Sequence, residues 1–256
     1  MSPLLNKHSV ISHEALLAIA HMPTRSLSAL VSHEFWGSLI DPDFMRIAVL
    51  LAKKSYDEGG CPIGAVIVDK TTRQIVGKGH NTLVQEDHPY NHGETSAIRD
   101  AGRIDFSNTT IYTSLSPCDV CATLIYMRGF NRVVVGDVTN ASGNEALLRS
   151  KGVQVDILED NLGIDLYARY RAKKPDQDLE DWQGLAAVSK GTTRKINTNL
   201  RCESTTKKLT ARLSTPILIC KTPRIRQPDS KSSSIKGIIT KLLNGYLHSR
   251  RKYCVI

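Results

Sequence analysis

Long apolar runs are missing from this sequence: no stretch of 18 or more apolar residues occurs, so we expect no membrane-spanning helix. The six cysteines, at positions 61, 118, 121, 202, 220 and 254, lack the dense paired spacing of a secreted disulfide framework. The first 41 residues also lack the basic-then-apolar order of a secretory signal. These absences predict a cytoplasmic location, with the nucleus as an alternative.

Acidic residues are almost absent from the end of the chain. Residues 190–256 contain 16 Lys and Arg but 2 Asp and Glu, whereas residues 1–189 contain 18 Lys and Arg against 23 Asp and Glu. The formal net charge of +9 therefore comes entirely from the tail. Because an enzyme acting on nucleic acid carries positive charge around its pocket, we do not expect a nucleic-acid substrate.

The composition divides the chain into three parts. Residues 1–40 form an N-terminal extension, at most partly helical, residues 41–185 form one domain, and residues 186–256 form a basic tail that we expect to be mostly disordered. Within the tail, residues 234–248 predict an amphipathic helix, with its apolar residues on one face. Such a helix can bind an anionic surface or a partner groove, although a tail without a partner remains the alternative.

Residues 41–185 alternate between helical and extended patterns. Apolar spacing and turn residues predict helices over 41–58, 94–101, 118–128, 145–150 and 162–173 and strands over 63–68, 74–78, 110–115, 132–136 and 153–158. The opening hairpin followed by β-α repeats predicts a mixed five-stranded sheet between layers of helices, a three-layer α/β/α fold.

Two short motifs suggest a metal site. They are His92-Gly93-Glu94 and Pro117-Cys118-Asp119-Val120-Cys121, which together read H-x-E and P-C-x-x-C. One imidazole and two thiolates would leave the fourth tetrahedral position of Zn²⁺ open, as catalytic zinc sites require. A carboxylate two residues after the histidine can act as general acid and base without binding the metal. This combination is typical of zinc-dependent base deaminases. The C-x-x-C alone would also suit a redox pair or half of a zinc knuckle.

With these motifs, residues 41–184 resemble the fungal cytosine deaminases of the cytidine/deoxycytidylate deaminase superfamily. The resemblance is carried by E-G-G-C-P-I-G at residues 58–64, G-K-G-H-N at residues 77–81, and S-L-S-P-C-D at residues 114–119, together with both metal motifs. It implies that His92, Cys118 and Cys121 hold Zn²⁺ and that Glu94 shuttles protons. It also implies a homodimer with each site close to the interface.

The resemblance further implies a set of substrate-binding residues. Asn81 would hydrogen-bond the ring of the base, and the backbone of Ser116 would frame the pocket. Ile63 and Gly64 would lie at its floor. Asp181 would orient the exocyclic amine of the base.

The sequence departs from the family at the lid of the pocket. The family places one aromatic residue after the fourth strand, where this chain has Val138-Thr139-Asn140-Ala141-Ser142. A second aromatic is expected three residues before Asp181, but that position is Asp178, and Trp182 is out of register. Stacking on a base contributes about 1–3 kcal/mol per aromatic face, so the choice of base is left open while the metal chemistry is not affected.

The expected reaction is the hydrolysis of cytosine to uracil and ammonia in pyrimidine salvage. One alternative is deamination of another base or nucleoside, including the adenosine of a tRNA. Another alternative is a zinc-binding module without turnover that docks through its basic tail.

Overall fold

The computed structural model describes residues 11–178, which form nine helices and five strands. In chain order they are α1 (His13–His21), α2 (Thr24–Leu30), α3 (His33–Ser38), α4 (Asp41–Asp57), β1 (Gly64–Asp69), β2 (Ile75–His80), α5 (Leu83–Glu86), α6 (Gly93–Ala101), β3 (Thr109–Thr113), α7 (Asp119–Met127), β4 (Arg132–Val135), α8 (Glu145–Ser150), β5 (Gln154–Ile157) and α9 (Asn161–Lys173). Every helix and strand predicted between residues 41 and 173 is present. The short α5 was expected to be a loop. Among the described helices, none is long and apolar enough to cross a bilayer.

The five strands form one mixed sheet in the order β2-β1-β3-β4-β5. β1 pairs antiparallel with both β2 and β3, while β3, β4 and β5 are parallel. It follows that β2, β3 and β4 run in the same direction and end at the same edge of the sheet. The loops that leave these three strands therefore meet at this edge.

Helices cover both faces of the sheet, which confirms the three-layer α/β/α fold. Side chains alternate between the faces because successive strand residues point to opposite sides. The face that packs with α4 carries Val66, Val68, Tyr112 and Val134. The opposite face, which packs with α6, α7 and α8, carries Ala65, Ile67, Ile111, Val133 and Val135.

The N-terminal extension is more ordered than the sequence suggested. Its described part contains three helices of nine, seven and six residues, and Leu27, Phe35 and Trp36 are fully buried in the same core as α4. Helices this short show no sustained apolar period and depend on tertiary packing for their stability. Ser12 and Ser32 cap two of them by accepting backbone N–H bonds.

Lys78 attaches this extension to the edge strand β2. Its Nζ donates hydrogen bonds to the carbonyl oxygens of Ile19, at 2.8 Å, and Ala20, near the end of α1. Burial lowers the pKa of Lys78 to about 8. The Asp100 carboxylate accepts from the backbone N–H of Lys78 at 3.0 Å and from the Thr24 hydroxyl at 2.5 Å. The extension is thus joined to the strand that leads to the candidate site.

Candidate metal centre and its surroundings

The two motifs meet at the edge of the sheet where β2 and β3 end. His92 is the N-cap residue of α6, Cys118 is the N-cap residue of α7, and Cys121 lies in the first turn of α7. His92 Nδ1 lies 3.4 Å from Cys118 Sγ and 3.7 Å from Cys121 Sγ. The three possible ligand atoms all lie within 4.8 Å of one another.

These distances fit zinc. Zinc–sulfur bonds of about 2.3 Å and zinc–nitrogen bonds of about 2.0–2.1 Å in a tetrahedron separate sulfur from nitrogen by about 3.6 Å. The observed separations lie on both sides of this value. Two thiols and one imidazole are also the donor set that zinc prefers, and three ligands leave one position for a water or substrate.

The Cys118 thiol is ionised easily in this arrangement. A hydrogen bond from the Cys121 thiol, with further support from His92 and the backbone N–H of Cys121, lowers the pKa of Cys118 to about 4. Backbone N–H groups at a helix N-terminus stabilise a thiolate. Thiolates are the form in which cysteine binds zinc.

Glu94 is 2% exposed and lies in the first turn of α6, two residues after His92. Burial, followed by the negative charge of Cys118, raises the pKa of Glu94 above its ordinary value. Thr113 Oγ1 lies 3.1 Å from Glu94 Oε1 and 3.0 Å from the carbonyl oxygen of Leu115, so it orients the carboxyl group. A carboxyl group with a raised pKa can both accept and return a proton near neutral pH.

Asn81 follows β2 at the same edge of the sheet and is 1% exposed. Its backbone N–H donates to the carbonyl oxygen of Ile63 at 2.8 Å, which joins the start of β1 to the end of β2. Its side-chain Oδ1 accepts from the backbone N–H of Leu83 at 3.0 Å. This bond holds the plane of the amide.

Gly64 has a packing role in addition to the one expected at the pocket floor. A Cβ at this position would lie 2.2 Å from the carbonyl oxygen of Ala48 and 2.6 Å from the backbone nitrogen of Ala52, both in α4. On the α6 side, a Cβ at Gly93 would approach the Gly64 Cα to 3.2 Å. The backbone at residue 64 therefore passes between α4 and the first turn of the helix that carries Glu94.

Two residues that the sequence did not single out hold the segment 114–118, which precedes α7 and is here named the metal loop. The Ser116 hydroxyl donates to Glu145 Oε1, and Asn144 Nδ2 donates to the carbonyl oxygen of Pro117 at 2.9 Å. Asn144 and Glu145 lie at the start of α8, more than 25 residues away along the chain. No local sequence pattern predicts these contacts, because they form only when the loop after β4 lies at the same edge of the sheet as residues 116 and 117.

The structure shows where both lid departures lie. Asp178 is 8% exposed, and Ala141 packs against a small cluster that includes Ile63 and Tyr167. Asp181 lies outside the described residues, as does the predicted amphipathic helix over 234–248.

The family model and the sequence relatives agree with this site. The family model described as the cytidine and deoxycytidylate deaminase zinc-binding region matches residues 40–137, which contain both metal motifs. Cytosine deaminase from Candida albicans is 43% identical over 145 residues, covering 56% of this chain and 93% of that protein. The tRNA-specific adenosine deaminase from Haemophilus influenzae is 36% identical over 103 residues, covering 39% of this chain and 59% of that protein. Among solved structures, a guanine deaminase from Nitrosomonas europaea is 17% identical, with a TM-score of 0.48 over 65% of this chain and 96% of that chain.

Proposed function

Because the chain belongs to the cytidine and deoxycytidylate deaminase family and is a zinc-dependent hydrolytic deaminase, we propose that it converts free cytosine to uracil and ammonia in pyrimidine salvage. The observation that carries the choice of base is the similarity to the Candida albicans cytosine deaminase, which extends over nearly all of that protein. The mildly acidic balance of residues 1–189 supports a small, uncharged substrate over a polyanion.

The proposed chemistry needs one metal ion and one proton carrier. Zinc held by His92, Cys118 and Cys121 would act as a Lewis acid and lower the pKa of water toward neutrality. Glu94 accepts a proton from the attacking water on its carboxylate and delivers it to N3 of the base. The water oxygen bonds to C4. A second proton, from the new hydroxyl, passes through Glu94 to the amine, and the C4–N bond breaks to release ammonia.

The remaining predicted residues would bind the base. With Oδ1 of Asn81 occupied by the backbone N–H of Leu83, its Nδ2 group donates to the oxygen of cytosine. Ile63, which is 8% exposed, provides an apolar surface beside the ring, and the backbone of Ser116 frames the opposite side. Asp181 would receive a hydrogen bond from the amine. Buried groups of this kind reject analogues that cannot pair with them.

The proposed function is tested by measuring ammonia and product from cytosine, cytidine, guanine and a tRNA stem-loop with the full chain. We expect the highest kcat/KM with cytosine. The Glu94→Gln variant should retain its zinc and lose turnover by about 10²–10⁴-fold, because a general acid and base is removed. The control is Glu34→Gln, which changes an exposed carboxylate on α3 and should retain full activity.

A second candidate is a deaminase of tRNA adenosine, favoured by the match to the Haemophilus influenzae enzyme. Turnover of the stem-loop without uracil from cytosine would overturn the first proposal in favour of this one. A substantially active Glu94→Gln variant would contradict the assigned role of the carboxylate for either substrate.

We further propose that the enzyme is a homodimer that pairs through α7. Val120 is 48% exposed and Met127 is 71% exposed, and the spacing of Val120, Leu124 and Met127 places them on one face of the helix, here named the α7 stripe. A second copy would cover these apolar side chains. Since Cys118 caps the N-terminus of α7, this interface would lie beside the metal centre.

We also propose the division into an N-terminal extension, a deaminase domain over residues 41–185 and a basic tail. With a balance of 16 cationic to 2 anionic residues, residues 190–256 suit an anionic surface or an acidic partner.

A further inference from the structure

The metal loop is connected to the loop after β4 through Asp137. The backbone N–H of Ser116 donates to the carbonyl oxygen of Asp137 at 2.9 Å. The Asp137 carboxylate accepts from the backbone N–H groups of Thr139 and Asn140, at 2.8 and 3.0 Å, and from Asn140 Nδ2 at 2.7 Å. Asn140 Nδ2 also donates to the carbonyl oxygen of Ile164 in α9. The loop is therefore held in one conformation against α9.

Arg171 continues this connection to the end of the described chain. Its Nη2 donates to the carbonyl oxygen of Asn140 at 2.9 Å, and its Nε donates to Asp178 Oδ2 at 2.8 Å. The Tyr167 hydroxyl donates to Asp178 Oδ1 at 2.5 Å, so both carboxylate oxygens have a partner. We call the contacts of Asn140, Arg171 and Asp178 the Arg171 bridge.

The chemistry of the bridge explains why an arginine is suited to residue 171. A carboxylate that is 8% exposed, as at Asp178, is unfavourable unless it is paired and hydrogen-bonded. The planar guanidinium presents several donors in fixed directions, so it can bind two acceptors on different segments at once. A lysine would provide the charge without this fork.

The Arg171 bridge holds the loop after β4 and residue 178, and it contributes little to the hydrophobic core. α9 is held independently by Tyr170, which is 0% exposed, and by Leu166, which is 6% exposed. The Arg171 side chain is 41% exposed and packs over the Tyr167 ring with its guanidinium 5.2 Å from the ring centroid. Loss of the guanidinium would thus remove one of the bonds that hold Asn140 and one of the two that hold Asp178 while leaving the hydrophobic core in place.

We propose that Arg171 is a positioning residue of the substrate pocket, which holds residue 178 against the loop after β4 and thereby keeps the Ser116 backbone in place. Asn140 belongs to the loop in which the Asp137 carbonyl oxygen accepts from the Ser116 N–H. Arg171 thus joins the two positions at which this sequence departs from the lid aromatics of the family. This inference rests on the proposed function only in the role given to Ser116.

The kinetic test compares Arg171→Ala, Arg171→Lys and the control Arg169→Ala in the full-length, zinc-loaded chain. Arg169 is the matched control because its Nε donates to the carbonyl oxygen of Asp165 in its own helix. For the base that the wild type deaminates, Arg171→Ala should raise KM about tenfold and change kcat less, because the Ser116 backbone that frames the base is held less firmly. Arg171→Lys should recover part of this loss, and zinc content and Tm should stay close to those of the wild type.

An unchanged KM in Arg171→Ala, or an equal rise in Arg169→Ala, would overturn the positioning role. A fall in Tm or zinc content that accounts for the whole loss of activity, without rescue by Arg171→Lys, would show that the residue is merely structural.

A second measurement does not depend on turnover. The backbone N–H groups of Thr139 and Asn140 donate to the Asp137 carboxylate, so their hydrogen exchange reports on the order of the loop after β4. Exchange over residues 138–142 should become faster in Arg171→Ala and stay unchanged in Arg169→Ala. If the wild type deaminates no base, the proposed function fails while this measurement still decides the inference. Equal exchange in the wild type and Arg171→Ala would overturn the inference.

Discussion

Gly64 lies where the start of β1 passes between α4 and the first turn of α6. The close approach of the Ala48 carbonyl oxygen and the Ala52 nitrogen means that even a methyl group would meet backbone atoms, which cannot move without displacing α4. Its backbone N–H also donates a hydrogen bond to Ser114 Oγ at 3.0 Å. A glycine at this position therefore sets the distance between the helix layer and the strand beside the metal centre.

We predict that Gly64→Ala destabilises the protein by about 1–3 kcal/mol or more, as expected for overpacking against backbone. Gly37→Ala is the control, because a Cβ at Gly37 in α3 would have no neighbour within 4 Å. This variant should be slightly more stable than the wild type, since alanine has a higher helix propensity than glycine. Urea unfolding of the zinc-loaded proteins measures both effects. Equal midpoints for Gly64→Ala and the wild type would contradict the packing role.

Single residues differ in how well the sequence reveals them. His92, Glu94 and the two cysteines belong to local motifs whose spacing dictates helix N-termini, so their placement could be predicted. Thr113 and Glu145 could not, because they meet their partners only after distant strands have paired. Gly64 was recognised through a motif, while its packing role depends on the position of α4. At the lid position Asp178 the sequence predicted only the loss of an aromatic ring, whereas the structure shows that each of its carboxylate oxygens accepts a hydrogen bond.

At the scale of elements, strong apolar periods predicted α4 and the strands, but local stability decided the rest. The short helix α5 sits in a polar stretch, and α1 to α3 have six to nine residues each. Isolated helices of this length are marginal in water, so their sequences need not show a strong helical pattern. The stability of α1 to α3 comes from burial in the core that they share with α4, which no local window of the sequence contains.

The solvent face of α7 carries the proposed dimer interface, and Met127→Lys places a charge at its most exposed apolar residue. We predict that this variant is monomeric while the wild type is dimeric, because a charge buried at an interface without a partner is unfavourable. The control is Leu162→Lys, which changes a 54% exposed apolar residue on α9 in the other helix layer. Sedimentation velocity measures both masses. A monomeric wild type, or a dimeric Met127→Lys variant, would contradict the interface.

At the scale of the whole molecule, the two ends of the chain differ in their relation to the catalytic domain. The N-terminal extension contributes large side chains to the main core, including Phe35 at 1% and Trp36 at 0% exposure. Truncating a single buried aromatic residue costs about 3–5 kcal/mol, which is a large part of the about 5–15 kcal/mol that separates folded from unfolded domains. The tail, in contrast, accounts for the whole of the net positive charge, with 16 Lys and Arg against 2 Asp and Glu over residues 190–256.

We therefore predict opposite results for two truncations. Deletion of residues 1–40 should lower Tm by about 10 °C or more, or prevent soluble expression, because it exposes the core beneath α1 to α3. Deletion of residues 186–256 should leave Tm, zinc content and turnover unchanged and abolish co-sedimentation with vesicles that contain phosphatidylserine. Calorimetry, zinc analysis and vesicle binding on the same preparations test these outcomes. An unchanged Tm without residues 1–40 would contradict the contribution of the extension to the stability of the core. A loss of turnover without residues 186–256 would show that the tail is needed for catalysis.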